Sequence, residues 1–399
     1  MERIVVTGSG IISALGIGKE ITLQKLLAEE SAISTVKHLR TKHQELSVGE
    51  VPATDEDLKS FLGITKNEII NRTSLLGRVA LREALAEANL SNGADGLRIA
   101  FVAGNIVGGM EKSEIHYRDF FQNDDFNEYI SMHDCGACTE IIAKEFGGRF
   151  SLATTISTAC SSAANALILG GNLLRAGYAD IVVAGGTDCL SKFHLNGFNM
   201  LMILDPQRCR PFDETRRGIN LGEAGAFLVL EKERAAQRRG SNPIAILSGY
   251  GNACDAFHQT AMSPDGEGAY LAMQKALQMA GLRPDDIDYI NAHGTGTENN
   301  DACEGAAVER LFGERIPPVS STKSYTGHTT AAAGALESVI SLLTIQHQFI
   351  PSNLGFSNPI QTLNFTPVKK VIRNADVRHV LTNSFGFGGN DSSCIFSKI

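Results

Sequence analysis

The sequence predicts an α/β protein with a mostly buried sheet, organised as two similar halves, and three observations carry that prediction. Apolar runs rich in β-formers alternate along the chain with segments whose apolar residues recur at helical spacing, the pattern of βα units. The runs "RIVVTG", "RIAFVAGN" and "ADIVVAGG" of the first half recur in style as "PIAILSGYG", "DYINAHG" and "PPVSSTK", so the halves are expected at 1–245 and 246–399 around one shared core. Gly fills 40 of 399 positions and Trp none, a composition suited to tight turns and close backbone approaches.

In chain order the strand-like runs are "RIVVTG", "LRIAFVAG", "ADIVVAGG", "AFLVLE", "AILSGYG", "IDYINAHG", "PVSSTK", "HVLTNSFGFGG" and "SSCIFSKI". Most of them end in Gly or Ser, residues that turn a strand into a loop. Between them, "NRTSLLGRVALREALAEANL", "SSAANALILGGNLLRAG", "GAYLAMQKALQMAGL" and "GHTTAAAGALESVISLLTIQHQF" repeat their apolar residues at helical spacing. No Gly/Ser linker, low-complexity tract or short-period repeat divides the chain.

Several functions are disfavoured at once. The opening "MERIVVTGSGIISALG" runs directly into a strand, without the cationic and long apolar regions of a signal peptide, and no apolar stretch reaches a membrane span. Eight cysteines without such a signal fit a reducing cytoplasm. A net charge of −8 argues against nucleic acid as a partner. The "CGAC" of Cys135 to Cys138 has the spacing of a redox pair or half a zinc site, yet no second close pair exists, so a structural role is expected. "GYGNACDAFH" and "VTGSG" lack the phosphate-loop Lys and a full dinucleotide fingerprint, and "EKERAAQRRG" reads as a solvated helix end.

The stretch "TISTACSSAANALILGG", Thr155 to Gly171, sets Cys160 between a strand-like run and the start of a helix. Unpaired N–H groups and the helix dipole favour an anion there, and the small neighbours Ala159, Ser161, Ser162 and Ala163 leave room for an acyl group. A cytosolic cysteine is most often a small buried thiol. What singles this one out is a pair of downstream histidines in glycine-rich turns, His293 in "NAHGTGT" and His328 in "STKSYTGHTTAAAGALES".

The motifs "VVTGSGIISALG", "TACSSAANAL", "ADIVVAGGTD", "RPFDETRRG", "NAHGTGTENND", "SSTKSYTGH" and "NSFGFGGND" cover nearly the whole chain in order. In this they resemble the condensing enzymes of the thiolase superfamily, specifically the elongating β-ketoacyl-acyl-carrier-protein synthases. The resemblance implies a thiolase fold with a five-layered α/β/α/β/α core. It also implies that Cys160 accepts the growing acyl chain as a thioester while His293 and His328 promote malonyl decarboxylation and stabilise the enolate. Neutral imidazoles would do so without another permanent charge. Lys323 resembles the family lysine beside the second histidine, acting either in the chemistry or in a structural salt bridge, with Asp301 and Glu304 as polar companions. Phe387 is expected as a gate over the cysteine between Gly386, Gly388 and Gly389, its backbone N–H joining that of Cys160 in an oxyanion hole. Thr295, Thr297 and Thr260 match hydroxyls that meet the phosphopantetheine arm, and Phe198 and Val107 map near the acyl pocket. Asn291 and Glu337 match residues that hold a structural monovalent cation in some relatives. Neither a redox cofactor nor a catalytic metal is implied, since the phosphopantetheine arrives with the substrate.

Two rival readings are a thiolase-type acyl transfer using coenzyme A and a chain-length or scaffold subunit that does no condensation; Cys160, His293 and His328 together speak against both. Departures from the housekeeping pattern bear on the partner. "RRGINLGEAGA", Arg216 to Ala226, differs from ordinary elongation enzymes, Thr73 replaces a basic residue beside Arg72, and "FQNDDFNEYISMHD" is acidic. These imply an acyl carrier protein with different docking charges, or a specialised pathway such as aryl-polyene or polyketide assembly, with Arg72 either the most useful remaining basic contact or part of an intramolecular helix salt bridge. A homodimer is expected, or a heterodimer with a cysteine-less chain-length factor in which this chain is the active subunit.

Overall fold

The computed structural model describes residues 2–94, 96–123 and 127–399. An eleven-stranded sheet dominates it, one strand being the two-residue ribbon Gly16–Ile17. The other ten are β1 (Ile4–Ser13), β2 (Ile99–Gly104), β3 (Leu152–Ile156), β4 (Ile181–Asp188), β5 (Ala224–Lys232), β6 (Ala245–Cys254), β7 (Tyr289–Asn291), β8 (Val319–Ser320), β9 (His379–Gly386) and β10 (Asn390–Ser397). Across the sheet the first five run β3-β2-β4-β5-β1 and the second five β8-β7-β9-β10-β6, the same order in each set. Directions repeat too. β2 is parallel to β3 and β4, and β5 antiparallel to β4 and β1. Likewise β7 is parallel to β8 and β9, and β10 antiparallel to β9 and β6. The sets join where β1 meets β6, with Val6 opposite Ala245.

Five helices complete the layers: α1 (Arg72–Glu87), α2 (Ser162–Ala176), α3 (Glu267–Ala280), α4 (Glu298–Phe312) and α5 (Ala333–His347). α1 covers β1, β4 and β5 from outside, and α3, backed by α4, covers β6 and β10. Between the two sets of strands lie α2, touching β2 and β4 on one side and β6 and β10 on the other, and α5, touching β4 and β5 as well as β9 and β10. The result is the α/β/α/β/α order of the thiolase fold. α5 is mostly apolar and buried from Ala333 to Ile345, as a helix with a sheet on each face must be, with Glu337 the one charged side chain in it.

Both outer helices approach their sheets through glycine. A Cβ on Gly8 or Gly10 of β1 would come within 2.3 and 2.1 Å of the Ala84 and Ala80 carbonyl oxygens of α1. On Gly249 or Gly251 of β6 it would come within 2.2 Å of the Ala276 and Ala272 carbonyl oxygens of α3. Two Gly-x-Gly strands therefore meet two alanine-faced helices at backbone distance, which the "VTGSG" and "LSGYG" echo encodes.

The strand-like runs "IDYINAHG" and "PVSSTK" shrink to three and two residues, because the chain beyond Asn291 and Ser320 leaves the sheet for loops. "EKERAAQRRG" contains the helix Glu233–Arg239, which buries only Ala236. Cys135 opens a helix and Cys138 is buried in it; all eight cysteines are free. Among the described residues no helix is long and apolar enough to cross a membrane. Of the acidic stretch "FQNDDFNEYISMHD", Asp124, Asp125 and Phe126 lie outside the described residues.

Candidate active site

Cys160 sits between β3 and α2 on a tight turn. Ala159 before it has φ +51°, a left-handed conformation that costs a non-glycine residue roughly 1–2 kcal/mol. Three hydroxyl bonds offset that strain: Ser162 Oγ donates to the Ala159 carbonyl at 2.6 Å and accepts the Thr158 N–H at 2.9 Å, and Ser161 Oγ donates to the Thr158 carbonyl at 2.8 Å. From β9, Ser384 Oγ donates to the Cys160 carbonyl at 2.9 Å and ties the turn to the second half. The backbone N–H groups of Phe387 and of Cys160 itself favour the anionic form of the sulfur. Burial nevertheless pushes the thiol up to about 11, against the pull of Lys323 and those two N–H groups, so the resting sulfur is protonated at neutral pH. The helix N-terminus expected to favour a thiolate is outweighed by loss of water.

His293 follows β7, and α4 fixes its loop. Buried Glu304 accepts the N–H groups of His293 (2.8 Å) and Gly294 (2.7 Å) and Asn383 Nδ2 (3.0 Å). Buried Asp301 accepts those of Phe212 (2.7 Å) and Gly296 (3.1 Å). Thr297 caps α4, its Oγ1 accepting the Asn300 N–H, and lies 2.9 Å from Thr295 Oγ1. His328 follows β8 in the matching loop of the second half. Its N–H donates to the Asn220 carbonyl at 2.7 Å, and its carbonyl accepts the Gly222 N–H at 2.9 Å. The two imidazoles meet edge to face, 5.2 Å between centroids at 84°. Phe385 packs on His293 at 5.7 Å.

Lys323 stands behind His293. Its ammonium is paired with Glu337 and donates to the His293 carbonyl at 2.5 Å and to His293 Nδ1 at 3.2 Å. Because an ammonium only donates, Nδ1 is the acceptor and the ring proton sits on Nε2. Burial, with Lys323 adding repulsion, holds both imidazoles well below their ordinary range and hence neutral; His328 adds to the effect on His293. Burial also raises the Glu337 carboxyl to about 7, against the opposing pull of Lys323.

A cavity of about 370 Å³ opens onto these groups. Cys160, His293 and His328 line it together, with Thr260, Thr295 and Thr297 on its wall and Phe198 and Phe387 side by side, rings 5.9 Å apart. Val107 does not line that cavity: it is buried in the core under α1, its N–H on buried Asp188. Lys323, Asp301 and Glu304 likewise stay off the wall and hold the loops that form it. Arg72 is not on a surface where a partner could reach it. It is buried, with Nε and Nη2 on Glu223 (2.9 and 2.6 Å) and Nη1 on Asp55 (2.9 Å), so the expected basic contact is an internal ion pair. Ser384 and Phe385 lie in the quoted "NSFGFGG" without being singled out there; strand alternation from Phe387 aims Phe385, two residues earlier, at the cavity, whereas Ser384 points to the other face and shows its bond to the Cys160 carbonyl only in the fold. Arg217, also on the wall, carried no signal beyond "RRG". Asn291 Oδ1, Glu337 Oε2 and Thr382 Oγ1 are buried oxygens without a hydrogen-bond partner; Asn291 pairs with Thr382 across β7 and β9, and its Nδ2 donates to the Glu337 carbonyl.

Two family models match: "Beta-ketoacyl synthase, N-terminal domain" over residues 1–236 and "Beta-ketoacyl synthase, C-terminal domain" over 244–357. The chain is 34% identical over 420 residues to the 3-oxoacyl-[acyl-carrier-protein] synthase 2 of Rhizobium meliloti, covering 100% of this chain and 99% of the relative. It is 31% identical over 412 residues to the protein of that name from Staphylococcus aureus, covering 100% and 98%. Among solved structures it resembles the ishigamide ketosynthase/chain length factor (TM-score 0.92, 30% identity, 100% and 99% covered). It also resembles a ketosynthase in complex with its chain length factor from Xenorhabdus doucetiae (TM-score 0.85, 30% identity, 100% and 98% covered). A third likeness is to a type II polyketide synthase ketosynthase, bound to the hexaketide, in complex with its acyl-carrier protein (TM-score 0.89, 26% identity, 100% of both chains covered).

Proposed function

Because the chain belongs to the beta-ketoacyl synthase family, we propose that it joins an acyl group carried on Cys160 to a malonyl unit carried by acyl carrier protein, releasing CO2 and leaving a β-ketoacyl product on the carrier. The observation that carries this reading is the convergence of Cys160, His293 and His328 on one cavity.

In the first half-reaction the Cys160 sulfur attacks the incoming acyl thioester as its proton departs. The carbonyl oxygen is held by the Cys160 and Phe387 N–H groups, and the pantetheine thiol leaves with a proton. Malonyl then enters past Thr295 and Thr297. Its bond to the carboxylate breaks, CO2 leaves, and the electron pair becomes an enolate whose oxygen takes the His293 Nε2–H and a donor from His328. Neutral imidazoles stabilise that charge without first having to bury a cation. The enolate carbon attacks the Cys160 thioester, the C–S bond breaks with its electron pair going to sulfur, and the thiolate takes a proton from water. Lys323 is a positioning residue, acting through the His293 ring.

Fatty-acid synthesis and specialised polyketide or polyene assembly both fit this chemistry. The partner subunit is a second copy or a chain-length factor, an assembly supported by β3, which closes one edge of the sheet with Leu152 exposed. A cytoplasmic site of action belongs to the same reading, supported by eight free thiols. The unpartnered oxygens of Asn291, Glu337 and Thr382 suit a monovalent cation, which would brace β7 against β9 and α5. Intact-protein mass spectrometry after incubation with acyl-carrier-protein thioesters tests the proposal. One acyl adduct per chain is expected on wild type and none on Cys160→Ala, and His328→Ala should keep the adduct while losing most CO2 release from malonyl carrier. Condensation by Cys160→Ala at the wild-type rate would overturn it.

A further inference from the structure

The helix Lys192–Met200, which carries Phe198 into the cavity, ends at its mouth, and the residues there are turned outward. Met200 is 83% exposed, Leu201 45% and Met202 87%. Three consecutive large apolar side chains in water are a patch rather than scattered exposure. Gly197, one turn earlier, has nothing within 4 Å of where a Cβ would stand, so the helix offers bare backbone beside the patch. Met202 has φ +57°, a left-handed conformation held by a methionine with nothing packed over it. It also lines the cavity, so patch and mouth are continuous.

Charge does not explain recognition at this mouth. Among the described residues, two permanently charged ones line the cavity, exposed Arg217 and exposed Glu298, one of each sign, and Arg72 is locked inside the protein. We infer that Gly197, Met200, Leu201 and Met202 form the docking surface for the acyl carrier protein, which seats on this chain by apolar contact rather than by charge steering. The inference rests on the condensing reading, because it is the carrier's tethered arm that must pass this mouth. Continuity with the entrance selects the carrier over a second copy of the chain, whose natural place is the β3 edge at the sheet's end. Methionines suit such a surface, being flexible enough to adapt to a partner.

The test compares Met200→Glu and Gly197→Glu, both on open surface outside the cavity, using acyl carrier protein thioester and the same acyl group on free pantetheine. KM for the carrier-borne substrate should rise about tenfold, since a buried charge replaces apolar contact. KM for the pantetheine thioester and the sedimentation coefficient should stay unchanged. Wild-type KM for the carrier should change by less than about threefold between 0.05 and 0.5 M salt, as a mouth lined by one charge of each sign requires. Three results overturn the inference: an unchanged carrier KM, an equal rise on both substrates, or dissociation of the oligomer with carrier KM intact, which would give the face to a second chain. Wild type that forms no adduct with either substrate would overturn the condensing reading as well, whereas acylated wild type indifferent to both substitutions overturns the docking surface alone.

Discussion

Asp391, at the start of β10, has no partner for either carboxylate oxygen. Burial, the neighbouring Asp255 and Glu304 raise its carboxyl to about 8. The folded protein keeps that proton up to about pH 8 while the unfolded chain sheds it near 4, so this residue's contribution is present at low pH and lost as pH rises through that window. Asp391→Asn should therefore stabilise more at about pH 8.5 than at about pH 6, by roughly 1–2 kcal/mol, which paired thermal melts would read. The histidines act in the other direction: held neutral in the fold, they oppose stability as pH falls below about 6.5. Lys323→Met should leave Glu337 buried without its cation and free the His293 tautomer. The expected outcome is loss of most malonyl decarboxylation with acylation of Cys160 retained, and a Lys323→Met/Glu337→Gln pair that recovers melting temperature but not CO2 release. Cys160, His293 and His328 were legible because each sits in a long motif. Asp391 was not, since an orphaned carboxylate shows only once its surroundings fold.

The gate expected from the resemblance falls in the turn from β9 to β10. Gly388 there has φ +86° with open space where a Cβ would go, so a side chain is opposed by backbone conformation alone. Gly388→Val should slow condensation more than acylation, and Gly388→Asn, a residue that tolerates left-handed angles, should slow it less. Rapid-quench measurement of the two half-reactions separates these effects from general damage, which would slow both equally. α4 shows why an element can escape sequence reading. Its buried residues include Asn300, Asp301 and Glu304, so the face that should repeat apolar side chains is polar. That polarity is functional, because those carboxylates hold the loops of His293 and Gly296. Segments such as α3, whose buried residues are Gly, Ala, Met and Leu, show their helical period in the sequence.

For the whole chain, the echo between halves was visible in sequence, but the strand order was not, because pairing between β5 and β1 or β10 and β6 joins residues far apart. The glycine pairs in β1 and β6 make the repeat testable. Gly10→Val and Gly251→Val should each destabilise by about 3 kcal/mol or more, as overpacked backbone contacts do, and by similar amounts if the halves are physical counterparts. Urea melts of the two variants would compare them. The repeat also distributes the proposed chemistry: Cys160 follows the third strand of one set, and His328 follows the third strand of the other. One covalent thread, between Lys232 at the end of β5 and Ala245 at the start of β6, joins them. A protease nick there leaves two inert polypeptides, one with the thiol and one with the imidazoles, and turnover on mixing them becomes a fragment-complementation readout of how tightly the central helices hold the halves.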